Sequence, residues 1–249
     1  MKIMLEATNI TKNYQDNTTI VTGLNNVSLS VEKSEFVAIM GTSGSGKSTL
    51  MHSLSGLDRV DQGEIIVANQ VISNMTEDEL TNFRRLNSGF VFQQPTLIKN
   101  LNLLDNIILP SLNHSKISKE ELIEKANKLM TDMGIGELGS RGINQVSGGQ
   151  LQRAGICRAL INQPKIIFAD EPTGALNSKA SEEIMILLEN INQKGTTILL
   201  VTHDIKVAAS ADRVLLMKDG NIIDDKKFEK IEKNKRILQI TDWLTEHNI

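Results

Sequence analysis

The chain of 249 residues contains few aromatic side chains and a single cysteine. Because Cys157 has no second cysteine to pair with, an intramolecular disulfide is excluded, and the residue is expected to fill apolar space on a helix. No apolar run reaches the roughly 18–20 positions that a membrane-spanning helix needs. The first ten residues also lack the long apolar stretch of a signal peptide. These absences predict a cytoplasmic chain that meets a membrane only at its surface.

An excess of basic residues is also missing. The chain has 27 Lys and Arg against 30 Asp and Glu, a formal net charge of −3, and an isoelectric point near 5.9. Proteins that bind DNA or RNA usually carry a basic excess. We therefore expect no nucleic-acid partner.

Segments with strand character alternate with segments of helical character, which predicts an α/β fold with a mainly parallel sheet. Residues 27–31 alternate between apolar and polar, as in a half-buried strand. Three continuous apolar runs predict strands buried on both faces: 36–40, 166–169 and 197–201. A hairpin turn is expected at Asp219-Gly220-Asn221.

Between about 96 and 162 the pattern becomes helical, which predicts a helical subdomain inserted into the α/β core. Ser118 and Glu121 form a capping box. Gly134 is expected to end the helix that follows. The predicted apolar face of this helix consists of Leu122, Ala126, Leu129 and Met133. We predict one domain over 1–225 and a helical extension over 226–249, whose apolar face contains Ile237, Ile240 and Leu244.

The most specific motif follows the predicted strand at 36–40. Its residues are Gly41, Thr42, Ser43, Gly44, Ser45, Gly46, Lys47 and Ser48, followed by Thr49. This is the G-x-x-x-x-G-K-[ST] pattern, in which glycines allow backbone N–H groups to surround phosphate oxygens. Lys47 is expected to reach the β- and γ-phosphates, and the Ser48 hydroxyl to bind Mg²⁺. The motif predicts a nucleoside triphosphatase or a kinase.

A pair of carboxylates follows the predicted strand at 166–169. Asp170 occupies the position of a Walker B aspartate, which is expected to hold the coordination shell of Mg²⁺. Glu171 comes next, at the carboxyl end of the strand, where sites on parallel sheets lie. It is the expected general base that takes a proton from the attacking water.

A second anion-binding motif precedes a predicted helix over 151–161. Ser147, Gly148, Gly149 and Gln150 place a hydroxyl and backbone N–H groups at a helix start. One ATP needs only one cradle for its γ-phosphate, so the second motif is expected to serve another ATP. The simplest arrangement is a head-to-tail dimer in which each Ser147 motif closes over the nucleotide of the other copy.

Two further polar residues follow predicted strands. Gln93, after Gly89-Phe90-Val91-Phe92, is expected to contact Mg²⁺ and the attacking water. His203, after the strand 197–201, is expected to contact the γ-phosphate. Taken alone, each has an ordinary alternative: an amide in a loop, and a capping histidine before Asp204.

Together and in this order, these motifs resemble the nucleotide-binding subunits of ABC transporters over roughly residues 4–224. The resemblance implies a P-loop NTPase fold with a RecA-like core, an N-terminal antiparallel β-subdomain and a helical subdomain that grips an integral membrane permease. It also implies that Tyr14 stacks on adenine, that ATP and Mg²⁺ are bound, and that the chain works at the cytoplasmic face of the membrane.

A branch of the family is indicated by residues 89–94 and 169–178. They resemble the subunits of macrolide-export, lipoprotein-release and bacitracin-type peptide-resistance systems, and most of all the antimicrobial-peptide resistance group. Two positions depart from the family pattern. Val146 replaces the usual leucine before Ser147, and Asn177 replaces the usual aspartate after Pro172, which puts the coupling between two ATP sites in doubt.

Three functions stay open at this stage. The first is a transporter motor, and the second is a soluble ABC protein of translation or DNA repair. The second usually needs tandem cassettes or a long coiled-coil insertion, and neither is present here. The third is a cell-division type regulator, in which ATP cycling acts on a membrane partner without transport.

Overall fold

Strands and helices alternate along the chain, as the apolar pattern predicts. The computed structural model describes residues 2–16, 19–112, 117–228 and 231–249. The strands are β1 (Ile3–Asp16), β2 (Thr19–Glu32), β3 (Phe36–Gly41), β4 (Gln62–Val67), β5 (Gln70–Val71), β6 (Ser88–Phe92), β7 (Ile166–Asp170), β8 (Thr197–Val201), β9 (Arg213–Lys218) and β10 (Asn221–Lys227). The helices are α1 (Lys47–Leu54), α2 (Glu77–Asn87), α3 (Leu103–Ile108), α4 (Lys119–Asp132), α5 (Gly148–Leu160), α6 (Ser178–Gln193), α7 (Ile205–Ala208) and α8 (Lys233–Glu246).

The chain divides into two compact units. The first comprises Met1–Thr81 and Asn192–Ile249, and the second comprises Asn82–Ile191. The helical segment predicted at 96–162 falls within the second unit, apart from residues 113–116, which lie outside the described part. Among the residues described, no helix combines the length and apolar character needed to cross a bilayer.

The first unit contains an antiparallel sheet in the order β2-β1-β4-β5. Strand β3, which follows β2 in the chain, is not part of this sheet and pairs in parallel with both β8 and β9. Every residue of β3 and β8 is buried, which confirms the prediction of strands covered on both faces. Such strands contribute strongly to the core, because each fully buried aliphatic side chain is worth about 1.5–3 kcal/mol.

The predicted hairpin joins β9 to β10, which pair antiparallel. Asp219 and Gly220 both adopt positive φ, 48° and 75°. This combination matches a type I′ turn, whose twist suits two-residue hairpins. Strand β10 continues to Lys227, two positions past the predicted boundary at 225.

Helix α8 forms most of the predicted C-terminal extension, of which residues 229 and 230 are not described. Ile240, Trp243 and Leu244 are buried, and Ile237 is half-buried. The apolar spacing read from the sequence therefore corresponds to the packed face of the helix.

In the second unit, β6 and β7 pair in parallel. Helix α4 begins with the predicted capping box, in which Ser118 accepts from the N–H of Glu121 and Glu121 accepts from that of Ser118. Its buried face differs at one position from the prediction, because Met130 is fully buried and Leu129 only half-buried. Positions 122, 126 and 130 follow the i, i+4, i+8 spacing of one helix face, and 129 lies at its edge.

Candidate functional site

The loop between β3 and α1 has a backbone that only glycine adopts easily. Gly41, Gly44 and Gly46 have φ of 153°, 77° and 100°. A Cβ atom on Gly46 would lie 2.5 Å from the carbonyl oxygen of Gly23, and one on Gly41 would collide with that of Met217. At Gly44 a Cβ would meet none of the described atoms within 4 Å. The loop is therefore packed tightly at its ends and open at its middle glycine.

Two polar side chains of this loop are buried. The Lys47 ammonium donates to the carbonyl oxygens of Gly41 (2.9 Å) and Thr42 (2.7 Å). The Ser45 hydroxyl is buried and has no hydrogen-bond partner in the described part of the chain. A buried polar group without a partner costs about 1–3 kcal/mol.

The start of α1 adds further positive potential. Lys47 is the first residue of this helix, and the exposed Ser48 and half-buried Thr49 lie in its first turn. The first N–H groups of a helix lack internal partners and carry partial positive charge. Together with the ammonium, they fit a polyphosphate.

Tyr14 and His203 lie in the same unit as the loop. The half-exposed ring of Tyr14 contacts Gly23, where an added Cβ would be 2.9 Å from Cε2, and Thr49 also lies beside it. His203 is exposed and follows β8, whose Val201 is in register with Ile39 of β3. Since β3 and β8 are parallel, His203 and the phosphate loop leave the sheet at the same edge.

In the second unit, three residues predicted for the site lie at the carboxyl ends of β6 and β7. They are Gln93, Asp170 and Glu171. Phe92 is in register with Asp170, so Gln93 and Glu171 follow paired positions. The Gln93 amide lies against Gly174, where a Cβ would be 2.8 Å from Nε2.

Glu171 has a left-handed backbone with φ of 42°. For a residue other than glycine, such a conformation costs about 1–3 kcal/mol and is common at functional sites. The carbonyl oxygen of Glu171 accepts from the N–H of Gly174 at 3.0 Å. The short turn after β7 thus fixes the backbone at Glu171.

Ser147 caps α5, which begins at Gly148, three residues before the predicted helix start at 151. Ser147 Oγ accepts from the N–H of Gln150 (3.3 Å), and Gln150 Oε1 accepts from the N–H of Ser147 (2.8 Å). The hydroxyl uses a lone pair in this contact, which leaves its hydrogen available for donation. A cavity of about 430 Å³ opens beside the motif, between it and the loop that contains Ala175, Leu176 and Asn177.

Two charged residues of this cavity were not identified from the sequence. Arg153 forms an ion pair with Glu183 at 2.6 Å and also donates to the carbonyl oxygen of Met133 at 2.7 Å. Arg153 lies three residues after Gln150, on the same face of α5. This spacing was the sequence signal that could have identified Arg153 as a residue of the site. Its partner lies 30 residues away and could not be identified in this way.

The comparisons with known proteins agree with these motifs. The profile of the ABC transporter family matches residues 24–174. The macrolide export ATP-binding/permease protein MacB of Chlorobaculum tepidum is 43% identical over 95% of this chain. The match covers only 36% of that relative, so the chain spans about a third of its length. The bacitracin export ATP-binding protein BceA of Halalkalibacterium halodurans is 43% identical over 88% of this chain and 87% of its own.

Solved structures give the same result. The ATP-binding cassette MJ0796, in a dimeric post-hydrolysis state bound to ADP and Pi, superimposes with a TM-score of 0.85 at 41% identity. The match covers 92% of this chain and 100% of that one. The protein cbiO1 from Clostridium perfringens, part of the ABC transporter complex cbiONQ, gives a TM-score of 0.83 at 27% identity, over 98% of this chain and 96% of that one. The chain therefore belongs to the ABC transporter family, with the P-loop NTPase fold of its ATP-binding cassettes.

Proposed function

We propose that this chain binds and hydrolyses ATP to power a separate membrane permease that exports antimicrobial peptides or related antibiotics. The observation that carries the proposal is the loop 41–48, in which the left-handed glycines Gly44 and Gly46 and the buried Lys47 ammonium lead into the start of α1. The names of the macrolide- and bacitracin-export relatives support the substrate class.

The loop Gly41–Ser48 would hold the triphosphate, and Thr49 would support it from the first turn of α1. Tyr14 would stack on the nucleobase. Ser48, Gln93 and Asp170 would hold Mg²⁺, which neutralises charge on the phosphates. Within the described residues no cluster of three or more His, Cys, Asp or Glu could hold a metal. A Mg²⁺ site needs no such cluster, because the ion keeps waters and is usually bound through one or two carboxylates and the substrate phosphates.

Glu171 would accept the proton of the attacking water, and Gln93 and His203 would orient the water and the γ-phosphate. A positioned general base contributes about 10²–10⁴ in rate. The strained backbone at Glu171 supports this assignment, because rigid direction is what a general base requires.

The Ser147 motif supports a dimer. Ser147, Gly148, Gly149 and Gln150 border a cavity of about 430 Å³, and they would close over the ATP bound to a second copy in a head-to-tail dimer. The dimeric cassette MJ0796 is a related case.

The segment 96–162 would dock to the permease, and the extension 226–249 would pack on the ATP-binding unit. The chain would then work at the cytoplasmic face of the membrane. The alternative functions are a cell-division regulator and a lipoprotein-release motor. Each would differ from the proposed exporter in the membrane protein to which the chain docks.

The test compares wild-type protein with Glu171→Gln. The variant should bind MgATP but lose hydrolysis by at least about a hundredfold, and gel filtration in MgATP should show more dimer, because one carboxylate near the phosphates is gone. Glu124→Gln, an exposed position on α4, is the control and should behave as wild type. Hydrolysis by Glu171→Gln at the wild-type rate would contradict the assignment.

The partner is tested separately. The chain should pellet with membranes only when its permease is present, and the protein recovered with it identifies the system. Binding to bare liposomes that persists at high salt contradicts docking through a permease.

A further inference from the structure

The only tyrosine of the chain is held at its hydroxyl end by a carboxylate. The Tyr14 hydroxyl donates to Asp58 Oδ2 at 2.9 Å. The Lys12 ammonium donates to Asp58 Oδ1 at 2.8 Å and to the carbonyl oxygen of Arg59 at 2.7 Å. Both oxygens of Asp58 are therefore engaged, one by the phenol and one by a cation.

The ring of Tyr14 is fixed along its length as well. A Cβ on Gly23 would lie 2.9 Å from Tyr14 Cε2 and 3.1 Å from Thr49 Cγ2, so a larger residue at position 23 would displace the ring. The Lys12 ammonium lies 5.2 Å from the ring centroid. The ring is nevertheless 42% exposed. It is thus held at its edge and at its hydroxyl and keeps surface for a ligand.

Asp58 is attached to the phosphate loop through α1. The N–H groups of Leu57 and Asp58 both donate to the carbonyl oxygen of His52, in the last turn of that helix. The loop lies at the start of the same helix. One rigid helix therefore carries the phosphate loop at one end and the anchor of the tyrosine just beyond the other.

We propose that Asp58 is a positioning residue for the nucleobase, which holds the Tyr14 ring in the orientation that stacks on the base. This inference rests on the proposed function, since it assumes that Tyr14 meets the base of the ATP bound at the loop. A preorganised ring binds more tightly because its side-chain entropy has been lost before the ligand arrives. The hydroxyl hydrogen is committed to Asp58, so the ring face and not the hydroxyl recognises the base.

The charges agree with this arrangement. Burial by itself would raise the pKa of Asp58, but hydrogen bonds from Lys12 and Tyr14 and the charge of Lys12 lower it overall. Burial raises the pKa of Tyr14, and the bond to Asp58 raises it further against an opposing bond with Thr49. At neutral pH the pair is therefore a phenol that donates to a carboxylate.

The test uses Asp58→Asn, which keeps the shape and removes the charge, and Tyr14→Phe, which keeps the ring and removes the hydroxyl. Each should weaken ATP binding about threefold to tenfold. Binding of inorganic tripolyphosphate, which has no base, should stay unchanged. The double variant should bind ATP no more weakly than the weaker single variant, because both changes break one contact. Glu64→Gln, an exposed acid of β4, is the control.

A spectroscopic measurement tests the contact itself. Because the chain has one tyrosine, its ultraviolet titration reports Tyr14 alone. Asp58→Asn should lower the phenol pKa, since the phenolate no longer faces a carboxylate, and Glu64→Gln should not.

The outcomes separate the two proposals. Wild-type protein that binds neither ATP nor tripolyphosphate contradicts the proposed function, and the positioning role with it. Wild-type binding of both ligands, with Asp58→Asn weakening them equally or weakening neither, contradicts the positioning role alone. An unchanged phenol pKa in Asp58→Asn also overturns it.

Discussion

Arg153 and Glu183 join the helix that begins at the Ser147 motif to the helix that follows Asn177, through an ion pair of 2.6 Å. The same guanidinium donates at 2.7 Å to the carbonyl oxygen of Met133, directly after α4. The left-handed Gly134 follows, and a Cβ there would lie 3.2 Å from Arg153 Nη1. One side chain of α5 thus bonds to α6 and to the end of α4 beside the cavity.

Breaking this ion pair should affect turnover more than nucleotide binding. We expect Glu183→Gln to lower the ATPase rate of the dimer severalfold while the ATP affinity of the monomer stays within about twofold. The free energy of unfolding should fall by about 0.2–1 kcal/mol, because the pair is partly exposed. ATPase assays, nucleotide titration and urea unfolding measure the three quantities.

Arg153→Gln should produce at least the same loss, because it also removes the bond to the carbonyl oxygen of Met133. The double variant should add little to the loss of Arg153→Gln, since both changes break the ion pair. Glu182→Gln, exposed beside Glu183, is the matched control. A monomer that loses ATP affinity in Glu183→Gln would show that the pair has another role.

Lys47→Ala should weaken ATP binding itself. The ammonium now bonds to the carbonyl oxygens of Gly41 and Thr42, and a charge-assisted contact with phosphate is worth about 1.5–3 kcal/mol. The dissociation constant for ATP should rise about tenfold or more, as measured by calorimetry. Lys33→Ala, an exposed lysine of the same unit, should bind as wild type. Undiminished ATP affinity in Lys47→Ala would show that the phosphates bind elsewhere.

Asn177→Asp restores the residue usual in the family. Asn177 Oδ1 accepts from the N–H of Ala180 at 2.9 Å, at the start of α6. An aspartate makes the same contact and adds charge at a favourable helix end, so the free energy of unfolding should change by less than about 1 kcal/mol. ATP affinity of the monomer should stay nearly unchanged while ATPase turnover of the dimer changes. A large loss of ATP affinity in the monomer would show that Asn177 acts on the nucleotide of its own chain.

The packing of α8 should depend on pH through Asp224. The Trp243 indole donates to Asp224 Oδ2 at 2.7 Å, and His247 Nε2 lies 3.1 Å from the same oxygen. The bond from Trp243, together with the N–H of Asp225 and nearby positive charge, lowers the pKa of Asp224 below its ordinary value of 3.8. The folded state therefore favours the ionised form of Asp224. The carboxylate contributes to the free energy of unfolding at pH above 3.8, and this contribution is lost as the pH falls through the lowered pKa of the folded state.

Fluorescence of Trp243, the only tryptophan, measures this loss. Asp224→Asn should lower the free energy of unfolding at neutral pH, and the difference from wild type should shrink as the pH falls below 3.8. A difference that stays constant across that range would contradict the linkage.

Much of the candidate site was predictable because its signals are local. The glycines of the loop 41–48 and the capping boxes at Ser118 and Ser147 depend on residues within a few positions. Backbone sterics and helix-end hydrogen bonds act over that distance, so residue type and spacing were enough.

Side-chain partners between distant segments were decided only by the tertiary structure. Tyr14 meets Asp58 at a separation of 44 residues, and Arg153 meets Glu183 at a separation of 30. Spacing identifies a face of a helix or strand but not which element packs against it. Met130 rather than Leu129 is fully buried in α4 for the same reason. The sequence determined the chemistry of each motif, and packing determined which side chains hold those motifs in place.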